Sequence, residues 1–169
     1  VKGTDDEPQV VNELFHIYKN VGPKNYRELF HDANEHRDEL FNLFNLGFLS
    51  LEDRAKGEQL YWNSCKRILK FAKAARYFAE EFEQLEKLLA TKYVLNFSVF
   101  QSIPDFWAVG TLFPIMLAHR LNEMPLINAT LADITCDSDG KVDQFVDLRD
   151  IKDFLELHTF HPDQPYYLT

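Results

Sequence analysis

Near Lys92 the period of the apolar pattern changes, and that change calls for two kinds of structure in one chain. Before it, apolar residues recur at helical spacing; after it, short β-branched and aromatic runs take over. Pro8 suits an early helical position, and Val10, Val11, Leu14, Phe15 and Tyr18 follow on one stripe. Val21, Gly22 and Pro23 end that helix. A second helix is expected over residues 25–46, with Tyr26, Leu29, Phe30, Ala33, Leu40, Phe41 and Phe44 inward and Gly47 at its C-terminal end. Ser50 with Asp53 three places on is the looser form of a capping box. It opens a third helix to about Arg76, with Ala55, Leu60, Tyr61, Ile68, Leu69 and Ala72 toward the core. A fourth, over residues 78–91, groups Phe82, Leu85, Leu88 and Leu89. Four amphipathic helices with short connections predict a bundle.

Residues 93–100 read as a strand and residues 103–105 as a turn. Residues 107–117 are a short helix or a loop, and residues 128–134 a second strand. Residues 142–148 are expected to pair with it across a turn of Ser138, Asp139 and Gly140. Pro162, Pro165, Tyr166 and Tyr167 end the chain in an extended segment. The expected fold class is therefore α+β: a bundle of about four helices over residues 1–92, followed by part of an antiparallel β-sheet domain over residues 93–169. The second region offers too few strands to close its own sheet, and the chain stops without a terminal helix. Both features predict an internal piece of a longer protein.

Charge narrows the choice of partners. Of the 27 acidic and 18 basic side chains, residues 93–169 hold 11 acidic and only four basic ones: Arg120, Lys141, Arg149 and Lys152. That balance argues against nucleic acid, which requires a basic face, and is compatible with a cationic ligand. No apolar run is long enough to cross a membrane, and the first residues lack the shape of a signal peptide. Cys65 and Cys136 lie too far apart for a metal-binding motif. Cys65 falls in a helical pattern and is expected in or near the core. A reducing cytoplasm is the simplest compartment.

The segment most suggestive of chemistry is TCDSDGKVD at residues 135–143, directly after a strand-like run. A thiol flanked by carboxylates beside a glycine turn can supply a proton and hold a cation. Taken alone, such a cysteine is more often a small buried hydrophobe. A calcium loop aligned on Gly140 would place Asp137, Asp139 and Asp143 at ligand positions but Thr135 and Val146 at its two ends, so both end ligands are missing. His31 and His36 are expected at the surface. His158 and His161 lie in a Pro-rich segment without an acidic partner, which argues against a metal site. Trp107 is expected in the core, with lining a pocket as the alternative.

Wider words make a resemblance specific. NFSVFQSIPD at residues 96–105, LFPI at 112–115, HRL at 119–121 and LADITCDSDGKVD at 131–143 stand in order, with FLSLEDRA at 48–55 and EQLY at 58–61 upstream. Together they resemble biosynthetic arginine decarboxylase, a pyridoxal-phosphate enzyme family of the alanine-racemase-like class. The resemblance implies a lyase that converts L-arginine to agmatine and carbon dioxide in polyamine and spermidine biosynthesis. It further implies a homodimer with shared active sites and magnesium as an additional cofactor; the aromatic-rich helices of the bundle suggest added contacts toward a homotetramer. In such enzymes a cysteine-aspartate pair reaches the neighbouring subunit's site. The cysteine protonates Cα after carbon dioxide leaves, and the aspartate binds the distal cationic group. The matching positions are Cys136 and Asp137, with Asp139 as a second substrate-binding candidate or a turn residue. The cofactor-binding barrel and its lysine would lie outside these residues, so the chain by itself is expected to be inactive. Phe106, Gly110 and Leu117 depart from the family pattern, which has a small residue, an aspartate and a proline there. The competing readings are a helical protein-interaction module with a structural Cys136, and a sister decarboxylase for ornithine or lysine.

Overall fold

A computed structural model describes residues 7–133 and 140–169. The chain divides into two compact units, Val1–Glu86 and Lys87–Thr169. The first contains helices α1 (Gln9–Asn20), α2 (Tyr26–Asn45) and α3 (Leu51–Ala74), and most of α4 (Glu80–Leu89).

Several helix ends have a local cause. The Pro8 carbonyl accepts from the Val11 and Asn12 N–H groups at the head of α1. Ser50 and Asp53 form the expected reciprocal capping box on α3. Helix α2 ends in a Schellman motif: Phe48 N–H donates to the Leu43 carbonyl at 2.9 Å and Gly47 N–H to Phe44 at 3.0 Å. Gly47 adopts φ +80°, which is why a glycine stands there. The buried stripe of α3 is Gly57, Leu60, Tyr61, Ser64, Cys65, Ile68 and Ala72, so the expected Ala55, two residues before Gly57, falls on the other face and is exposed. In α1 the stripe includes Ile17, whereas Phe15 and Tyr18 sit half-buried at its edge under Lys19 and Arg67. In α2, Phe41 and Phe44 lie at the margin, stacked under the Arg54 guanidinium at 5.2 and 4.5 Å. Phe82 of α4 is buried against Tyr26 and Phe30, each 5.5 Å away between ring centroids, while Leu88 faces out.

The second unit holds strands β1 (Thr91–Val94), β2 (Ile127–Ala132), β3 (Lys141–Val142) and β6 (Leu155–Leu157) in one sheet. Strands β4 (Phe145–Val146) and β5 (Ile151–Lys152) form a separate two-stranded ribbon. Short helices α5 (Val99–Ser102) and α6 (Pro104–Val109) lie between β1 and β2. The sheet is mixed: β2 pairs antiparallel with β3 and β6 but parallel with β1. A parallel neighbour requires a long crossover, and residues 95–126 supply it. Its core gathers Val99, Ala129, Leu131, Val142, Phe145, Leu155 and Leu157.

Three expectations are corrected here. The strand expected over residues 93–100 ends at Val94, because the Ser98 hydroxyl accepts from Gln101 N–H and caps a helix. The turn at residues 103–105 is the first turn of α6, with Pro104 where its missing N–H costs nothing. Residues 142–148 do not run as one strand. Val142 pairs with Leu131, whereas Phe145 and Val146 turn to β5. The extended C-terminal segment is present, and Leu168 bridges Leu117.

Candidate active-site segment

Cys136, Asp137 and Asp139 lie outside the described residues. The structure instead describes the residues on either side of them in the chain, Asp133 and Gly140. Strand β2 alternates, with Ala129 and Leu131 buried and their neighbours less so. Asp133 is next in that alternation, so its side chain enters the core and is only 2% exposed. Its two oxygens are satisfied by backbone: Oδ1 accepts from Gly140 N–H at 2.5 Å and Oδ2 from Val99 N–H at 2.5 Å. Asp133 N–H in turn donates to the Gly140 carbonyl at 2.9 Å. A carboxyl group buried without such partners would carry a heavy desolvation cost.

Gly140 is the counterpart. A Cβ there would lie 2.4 Å from Asp133 Oδ1 and 2.8 Å from Val99 Cβ, so no other residue fits without displacement. The role of Gly140 here is therefore close approach to Asp133. Sequence reasoning named the glycine as a turn residue and missed Asp133, although the period-two pattern through Ala129 and Leu131 points to it.

Several other described polar groups of this unit are engaged with one another. His158 is buried: its Nε2 donates to the Glu123 carbonyl and its Nδ1 accepts from the Tyr166 hydroxyl, at 3.1 and 3.0 Å. Both ring nitrogens are thereby used, leaving no lone pair for a metal. Tyr93 donates to the His158 carbonyl at 2.6 Å, and burial pushes its phenol pKa up. A cleft of about 270 Å³ lies among His119, Arg120, His161, Gln164, Pro165 and Tyr166. Arg120 there is paired with Glu123, a hydrogen bond that raises the guanidinium's pKa and lowers that of the carboxyl. A cleft edged by Arg120 and two histidines is a poor receptor for a guanidinium substrate.

Trp107 lies outside the core: it is 56% exposed and edge-on to Phe100. His31 is exposed, and His36 is half-buried beside Glu39. Gly110 closes α6 at φ +74°, a conformation that suits glycine better than the aspartate of the family pattern. Phe106 and Leu117 pack on the core of the second unit. Cys65 is fully buried in the bundle, and burial pushes its thiol pKa up to about 11, so it is inert at neutral pH.

Among the described residues, no group of three or more His, Cys, Asp or Glu side chains can hold a metal. The glycines stand singly, and the amide of Gly140 is directed to Asp133 rather than to a phosphate. Among the described residues, no helix is long and apolar enough to cross a membrane.

The helical unit is of a known class: residues 4–86 match the family described as the arginine decarboxylase helical bundle domain. The chain belongs to the biosynthetic arginine decarboxylases. It is 50% identical to the biosynthetic arginine decarboxylase of a Nostoc species over 97% of its own length and 24% of the relative's. With the Deinococcus radiodurans enzyme it shares 49% identity over 97% of this chain and 25% of that one. The crystal structure of the Campylobacter jejuni biosynthetic arginine decarboxylase superimposes with a TM-score of 0.74 at 32% identity, covering 98% of this chain and 24% of that one. The chain thus spans about a quarter of the length of the curated relatives it matches.

Proposed function

We propose that the full-length protein containing these residues decarboxylates L-arginine to agmatine and carbon dioxide, feeding spermidine synthesis in the cytoplasm. The observation that carries this reading is the 50% identity to an arginine decarboxylase over 97% of the chain. Pyridoxal phosphate, held by parts of the protein beyond these residues, supplies the electron sink, and magnesium is the second cofactor of the proposal. Cys136 holds the proton that Cα takes as the carboxylate departs, and solvent reprotonates the thiolate. Asp137 receives the guanidinium, whose planar charged fork pairs best with a carboxylate; Asp139 is its second partner.

In this proposal the site is shared between the subunits of a homodimer. Division of labour falls near Lys92, with residues 1–92 serving assembly and residues 93–169 carrying the site segment. The exposed Leu46, Phe48 and Leu51 around the α2–α3 connection support a role for the bundle in contacts toward a homotetramer.

The deciding experiment is carbon dioxide release by the full-length protein, with pyridoxal phosphate, from arginine, ornithine and lysine in parallel. Arginine is expected to be strongly preferred, and Cys136→Ala to lower kcat by about 100-fold or more, as loss of a positioned acid does. Preference for ornithine or lysine would move the protein to a sister activity. Turnover of none, with cofactor bound, would leave the interaction-module reading.

A further inference from the structure

We draw no further inference here: the strongest candidate, the cleft edged by His119, Arg120 and His161 in the second unit, carries nothing, because Arg120 is already paired with Glu123 and nothing in the structure shows what fills it.

Discussion

Each unit contains a glycine with no space for a side chain, and the two glycines make room for opposite chemistries. In the bundle, a Cβ on Gly57 of α3 would lie 2.6 and 2.7 Å from the methyl carbons of Leu40 on α2. In the second unit, a Cβ on Gly140 would strike the carboxyl group of Asp133. The first approach is stabilised by non-directional burial, so a neighbour can shift and repack. The second is stabilised by hydrogen bonds whose loss leaves buried donors unmet. The bundle is thus built to tolerate adjustment, and the sheet unit to fix one geometry where Asp133, Gly140 and Val99 meet.

That contrast is open to measurement, because the chain's two tryptophans, Trp62 and Trp107, report separately on the bundle and on the second unit. The largest effect is expected from Asp133→Ala, which orphans the Val99 and Gly140 N–H groups and removes about 3–5 kcal/mol from the second unit. Urea unfolding followed through Trp107 checks it; a loss below about 1 kcal/mol would erase the contrast. Leu40→Ala, fully buried under Gly57, is expected to cost the bundle about 3 kcal/mol by transfer and cavity terms, read through Trp62. Adding Gly57→Ala to it should recover part of that loss, since the new methyl group enters the vacated space. No substitution at Gly140 can be expected to rescue Asp133→Ala in this way.

The smallest effect is set by pH. The Cys65 thiol rises from 9.0 to about 11 in the fold, chiefly through burial. The folded bundle therefore keeps a proton that the unfolded chain releases. The contribution is complete below pH 9.0, declines above it, and is spent once pH passes about 11. The buried Tyr61 phenol shifts upward too, so its contribution has the same sign. The bundle's urea midpoint should fall across that window, with a change of about 1 kcal/mol by pH 10. Cys65→Ala should flatten the decline.

Much of the bundle was legible from the chain alone. The Ser50 box, the Gly47 stop and the stripe from Leu60 to Ala72 are local signals, written within a turn or two of where they act. The differences are Ala55, which falls on the outer face of α3, and Ile17, whose burial at the end of the α1 stripe depends on the facing helices. The sheet unit was read less well. Strand β1 is cut short by a Ser98 cap that the β-rich composition of residues 93–100 conceals, and its parallel pairing with β2 is a long-range choice. Residues 142–148 pair in two directions, with β2 and with β5, and no local pattern distinguishes two partners.

The amino-acid sequence by itself determined the class of fold, the family and the candidate Cys136 and Asp137, because periodicity, caps and ordered family words are properties of neighbouring residues. Only the tertiary structure decided that Asp133, Val99 and Gly140 meet. Asp133 and Val99 are 34 positions apart in the chain, and a buried carboxyl group is stable only where folding brings backbone donors to it.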